Sequence, residues 1–420
     1  MKSKLTLAIL TLFSCLARAQ TFTPEQYRQD FNYFWSAISD EYCYFSKKQT
    51  DWEKVKQLYT PMADTVSSRA SFVSLLEKTL YELYDHHCNL NTNNPVSRRL
   101  VPTSADVWAE YINGKPVITE VRMNTGADRS GIKAGMEIIG INGKPVNEAV
   151  EEWRLKALKK NDTEADAFTL RLLLAGDHVT PRRLTLTANG VTADYYPDEN
   201  NMDGSPAYGE GMVKTAIAGN TGYIRINNCL YDNTLIHVFD SVMQQMKNTR
   251  ALILDLRETP SGGNTSVARA ILGWFINKAH FYQQHEYYAE EKQTGIKRSW
   301  QEIVSPRPGK YYSKPLVILV NHWTGSIAEG ITIGFDSFKR PRTVIIGTTM
   351  ARLNGAVYSY QLPNTRIGFS FTAERLYHIN GQPREAFVPG RYLDITRLNA
   401  KEGEDVFMTA ALEYINRVAK

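Results

Sequence analysis

Apolar positions recur at three- and four-residue intervals from Thr21 to about Leu100. Phe31, Phe34, Trp35 and Ile38 form one stripe. Val55, Leu58 and Tyr59 form a second after Asp51-Trp52-Glu53, and Phe72, Leu75, Leu76, Leu80 and Leu83 a third after Ser67-Ser68-Arg69-Ala70. That spacing predicts three amphipathic helices, the last running into Tyr84-Asp85-His86-His87-Cys88. From about Val101 to Asn189 the pattern changes to short strands and turns. Lys115–Val121 alternates, Gly131 and Gly135 bracket a turn, and Asn142-Gly143 between apolar runs predicts a hairpin. A helix from about Glu164 to Ala175 and a strand Arg183–Ala188 complete a compact module, and the polar run Asp194–Ser205 reads as a linker.

Beyond Ala216, strands and helices alternate, which predicts an α/β layer. Gly222–Ile226, Ala251–Arg257 and Leu316–Val320 are the strands; Thr234–Lys247, Ser266–Phe275 and Ser326–Phe335 are the helices. The last pair encloses Asn321-His322-Trp323-Thr324-Gly325-Ser326. Strand, tight turn, serine and helix together lift a hydroxyl clear of the sheet beside free backbone N–H groups. The alternative is that Ser326 merely caps the helix, a position serine favours. Gly262-Gly263, at the end of another strand, permits close backbone approach to a ligand, and no Gly-Lys-Ser/Thr follows to make it a phosphate loop.

The chain has 420 residues, 22% of them charged and 43% hydrophobic, as expected of a globular protein with two or three domains. A net charge of +5 without any Lys/Arg block leaves nucleic acid without a footprint as a partner. Lys2 and Lys4 precede an apolar run from Leu5 to Leu16 and then Ala17-Arg18-Ala19. This predicts a secretory leader cleaved after Ala19, and hence a secreted, periplasmic or cell-envelope protein; Leu12-Phe13-Ser14-Cys15 is the alternative lipoprotein site. No other stretch could span a bilayer. Removing the leader leaves Cys43, Cys88 and Cys229, an odd number that rules out a full disulfide framework. Cys88 beside His87 is a further candidate nucleophile, although sequence neighbours usually point apart. His86 and His87 lack the i,i+4 spacing that chelation from one helix face requires, and no metal or organic cofactor is expected.

Several ordered segments resemble the C-terminal processing peptidases of the tricorn-core type, a family of secreted serine peptidases. They are Leu-x-Asp-x-His at Leu83–His87, Leu-Asp-Leu-Arg-x-x-x-x-Gly-Gly at Leu254–Gly263, Val-Asn-x-x-Thr-x-Ser-x-x-Glu at Val320–Glu329, Gly347-Thr348-Thr349-Met350, and Asn380–Pro389. Ser130-Gly131-x-x-x-Gly135-x-x-Ile138-x-x-Ile141-Asn142-Gly143-x-x-Val146 resembles a bacterial PDZ domain, which binds an extended peptide as an added strand. The resemblance implies an α/β core of the ClpP/crotonase type, with an N-terminal helical subdomain (20–100), an inserted PDZ domain (101–190) and a catalytic domain (191–420).

It also implies Ser326 as nucleophile, with Ile327 and either Gly262 or Gly263 supplying oxyanion N–H groups. One branch of the family uses a lysine base after the nucleophile; here that segment reads Gly347–Leu353 without lysine, and Arg352 keeps its proton. The other branch implies His87 as general base and Glu385 as its orienter. His322 is a rival base, Glu385 could instead pair with Arg384, and His86 stands where the family often has glycine or an orienting serine, which leaves the hydroxyl of the relay unassigned. The implied activity is hydrolysis of peptides or unfolded protein, gated or selected by the PDZ domain. A catalytically silent peptide or lipid binder on the same scaffold is the alternative.

Overall fold

The computed structural model describes residues 22–199, 203–206, 211–397 and 404–419. The expected leader and part of the linker lie outside them. A mostly parallel six-stranded sheet carries the C-terminal half, in the order Arg391–Tyr392, Thr343–Gly347, Leu316–Val320, Ala251–Asp255, Thr221–Ile226 and an antiparallel edge Val213–Ala218. Its central strands are uninterrupted apolar runs, as burial on both faces requires. Alternate residues serve the two faces. Leu252, Leu254, Ile318 and Val320 pack under the helices Thr234–Met246, Thr265–Leu272 and Ile327–Ser337, while Ile253, Val317 and Leu319 pack on Val406–Val418.

The predicted N-terminal helices are Pro24–Glu41, Trp52–Ala63 and Arg69–Tyr81. Thr23, Asp51 and Ser68 cap them, each side chain accepting a backbone N–H of the first turn. They do not form a separate core. Phe31, Phe34 and Leu76 pack in one cluster with Phe369, Phe371 and Ala373 of the strand Gly368–Tyr377, which belongs to a second, antiparallel sheet. The chain after the third helix is then stitched to that strand, Asn89 opposite Ser370 and Leu90 opposite Phe369. This short pairing delivers the His87 loop to the C-terminal half.

The middle module is a sheet of Val107–Ile112, Lys115–Val121, Glu137–Ile141, Leu184–Ala188 and Val191–Tyr195. It therefore runs past the expected boundary at 190, because Val191–Tyr195 pairs antiparallel with Leu184–Ala188 and the linker begins only after it. Asn142 and Gly143 both have positive φ, 52° and 82°, as the predicted tight hairpin needs. At its ends the module is clamped by buried charges: Arg182 bonds Asp106 and Asp198, and Arg99 bonds Asp198. Among the described residues Val107–Ile112 pairs with no strand but Lys115–Val121, so its outer edge has no strand partner; it lies along the helix Thr163–Ala175, whose Arg171 donates to the Ala109 carbonyl at 3.4 Å.

Candidate active site

Three segments distant in sequence converge at Ser326. The strand Leu316–Val320 ends in the turn 321–325, and Ser326 precedes the helix Ile327–Ser337. Its backbone is at φ 53° and ψ −113°, outside the left-handed helical well and costly for a residue with a Cβ. The strain is held from both sides. Ser326 N–H donates to the buried Glu329 carboxylate at 2.9 Å, and Gly325 N–H donates to Thr259 at 3.3 Å. The bond to Glu329 is the backbone half of a capping box, so Ser326 caps this helix, and its hydroxyl also lies 3.1 Å from His87 Nε2.

The other ring nitrogen, His87 Nδ1, lies 2.6 Å from the backbone carbonyl of Asn354. A carbonyl only accepts, so the proton is on Nδ1 and Nε2 is left to accept the Ser326 proton. Burial, and then the Arg384 guanidinium, push the imidazole down to about 4, so it is neutral near pH 7. Asp85 organises this arrangement. It accepts His87 N–H at 3.0 Å, Asn354 Nδ2 at 2.9 Å, Tyr42 Oη at 2.9 Å and Thr372 Oγ1 at 3.2 Å. One carboxylate thus sets both the histidine loop and the residue whose carbonyl orients the ring.

Glu385, expected to orient the ring, does not. Its Oε1 pairs with Lys47 Nζ at 2.6 Å, and both ring nitrogens of His87 are engaged elsewhere. The tail contributes Arg384 in its place. Fully buried, it donates to the carbonyls of Leu353 at 3.0 Å and Gly355 at 2.7 Å, on either side of Asn354. It is therefore not the surface partner of Glu385. His322, the rival base, stacks on Trp108 with ring centres 4.6 Å apart and lies 3.8 Å from Glu120, not against Ser326. His86 turns away as well, stacking on Phe168 and accepting Arg171 Nε at 3.1 Å. Cys88 is a free thiol, and burial raises its pKa well above the ordinary value, which removes it as a nucleophile near neutrality.

Gly262 meets Ser326 directly: a Cβ there would sit 2.4 Å from Ser326 Cβ, and its φ is +68°. Gly263 passes so close to Leu230 that a Cβ would lie 2.1 Å from that carbonyl. Gly262 N–H turns back to Thr259, whereas among the described residues nothing accepts from the N–H of Gly263 or Ile327. Of the expected donors, these two are free to receive an oxyanion. Beside the site, a cavity of about 330 Å³ is lined by Asp85, His86 and Asn354 on one wall and by Trp108, Glu110 and Arg171 of the module on the other.

Residues 220–388 match the model of peptidase family S41, and residues 23–80 match that of the tricorn protease C1 domain. The carboxy-terminal processing protease CtpA of Bacillus subtilis is 24% identical over 292 residues, 68% of this chain and 55% of that protein. The chain thus spans about half the length of that relative. Among solved structures, mature CPAF superposes with a TM-score of 0.61 at 17% identity, covering 94% of this chain and 98% of the other. A protein structure from Parabacteroides merdae gives 0.55 at 16%, covering 92% and 96%. The photosystem II D1 C-terminal processing protease gives 0.54 at 16%, covering 94% and 97%. At these identities the likenesses concern the fold.

Proposed function

This chain belongs to peptidase family S41, a family of serine peptidases, and from that premise we propose that it is an exported endopeptidase acting through Ser326 and His87. The observation that carries the reading is the 3.1 Å approach of Ser326 Oγ to an imidazole nitrogen that must be an acceptor. In the first step His87 Nε2 takes the hydroxyl proton as Ser326 Oγ attacks the scissile carbonyl, and the developing oxyanion rests on Gly263 and Ile327 N–H. Collapse breaks the C–N bond, and the imidazolium returns the proton to the leaving amine. Water then attacks the acyl-enzyme with His87 again as base, releasing the acid and restoring the serine. Asn354 and Asp85 stabilise the transient imidazolium, one through a hydrogen bond and one through charge.

The module is read as a PDZ domain whose outer edge, Val107–Ile112, takes an extended peptide as an added strand. The cavity between that edge and the His87 loop supports a substrate path from module to nucleophile. Export follows from the basic and apolar N-terminal pattern.

The test is incubation of the purified protein with unfolded polypeptides, with the new termini sequenced. Fresh internal cleavage that disappears in Ser326→Ala is expected. Cleavage that persists in Ser326→Ala, or no turnover of any unfolded chain beside measurable peptide binding, overturns the reading in favour of a carrier.

A further inference from the structure

The end of one module strand touches both loops that build the reaction centre. Glu120, in Lys115–Val121, is 3% exposed and carries two hydrogen bonds into the α/β core. Asn321 Nδ2, at the start of the nucleophile turn, donates to Oε1 at 2.8 Å, and Thr348 Oγ1 donates to Oε2 at 2.9 Å. Two residues on, Arg122 Nε donates to Glu258 Oε2 at 3.0 Å, and Glu258 opens the segment that leads to Gly262 and Gly263. Trp108, paired across the hairpin with Glu120, stacks on His322 of the same nucleophile turn. The two loops are themselves joined, Thr259 N–H to the Trp323 carbonyl and Gly325 N–H to the Thr259 carbonyl.

A buried carboxylate with two donors, and a buried ion pair beside it, are costly unless well satisfied, so they fix geometry more than they add net stability. We propose that Glu120 and Arg122 are positioning residues for the reaction, holding the nucleophile turn and the oxyanion segment at their working separation from the module side. Resting on the peptidase reading, this makes catalytic rate depend on the hairpin whose outer strand is that edge of the module. A ligand added to Val107–Ile112 lies one strand away from Glu120, with no intervening domain. The link is short and mechanical, and it acts on chemistry and not on substrate affinity.

Full-length wild type, Glu120→Ala, Glu120→Gln and Arg122→Lys are compared for kcat and KM on unfolded casein and for the second-order rate of fluorophosphonate labelling at Ser326. Glu120→Ala and Arg122→Lys are expected to lower kcat and labelling rate about tenfold or more, the scale of a small misplacement of reacting groups, with KM within about twofold. Glu120→Gln, which keeps an acceptor oxygen for Asn321, is expected to recover most of the labelling rate. A purely structural role would lower the melting temperature and leave the rate of the folded fraction unchanged. Wild-type labelling rates in folded Glu120→Ala and Arg122→Lys overturn the proposal, and Arg122→Lys decides alone should the alanine variant fail to fold. Absence of labelling in the wild type overturns the peptidase reading itself, which separates the two failures.

Discussion

At Ser326 a strained backbone and a hydroxyl within reach of His87 occupy one position. With φ 53° and ψ −113°, the residue stores of order 1–3 kcal/mol that the surrounding bonds hold in place. Glycine adopts such a conformation readily, at some cost in unfolded-state entropy. Ser326→Gly is therefore expected to be inactive yet more stable than Ser326→Ala by about 1 kcal/mol, read from denaturant midpoints; equal midpoints would show the turn to be unstrained. His87 gives the pH dependence. Burial lowers its pKa to about 4 from an ordinary value of roughly 6.5, so as pH falls through that window the unfolded chain takes up the proton first. Folding stability attributable to His87 is present above about 6.5 and is lost on the way down to about 4. Burial raises Glu120 and Glu329 to about 7, which works in the opposite direction, but both carboxylates are present in a His87→Gln variant too. Wild type should therefore lose more stability than His87→Gln between pH 6.5 and 4, measured by thermal unfolding at stepped pH, and parallel curves would contradict the assignment.

Among the elements, the turns decide what can approach Ser326. Gly262 lies at φ +68° with the space for its Cβ already filled by Ser326. Gly262→Ala is expected to cost about 1–2 kcal/mol from the left-handed backbone alone and to reduce fluorophosphonate labelling by about two orders of magnitude. An alanine variant that labels at the wild-type rate would show that this turn does not border the nucleophile. The sequence made much of this level readable, for definite reasons. Leu316–Val320 is a pure apolar run of strand length, Asn142-Gly143 demands one turn type, and the spacing around Ser326 and His87 is itself the signal. Asn354 was not readable, because it acts through a backbone carbonyl that every residue carries. Glu385 misled because Arg384-Glu385 offers two charged side chains one position apart, and only packing decides that the arginine turns inward and the glutamate meets Lys47. Asp85 stood inside a recognised motif, yet its four hydrogen bonds come from residues that only folding gathers. Glu120 carried no signal, since its partners belong to another unit of the fold.

For the molecule as a whole, the site exists only by assembly. The helical lead supplies His87 and Asp85, the α/β sheet supplies Ser326 and the glycines, the tail supplies Arg384, and the module closes the cavity wall with Trp108 and Arg171. What brings the first of these to the second is the shared core of Phe31, Phe34 and Leu76 with Phe369 and Phe371, together with the Asn89–Leu90 pairing. None of the three N-terminal helices is an independent domain in this sense, and among the described residues no helix is long and apolar enough to cross a membrane. The buried Arg182–Asp106–Asp198 network anchors the module at its entry and exit, so the hairpin that carries Glu120 and Arg122 is braced at its base. In the proposed reaction an imidazole from the N-terminal lead activates a serine from the C-terminal sheet. Its most direct test is the mass shift left by a fluorophosphonate on the Ser326 peptide, in wild type and in His87→Ala. Stoichiometric modification of Ser326 is expected in the wild type, with a labelling rate lower by at least about a thousandfold in His87→Ala. Equal labelling of the two proteins, or modification at a residue other than Ser326, would contradict that reaction.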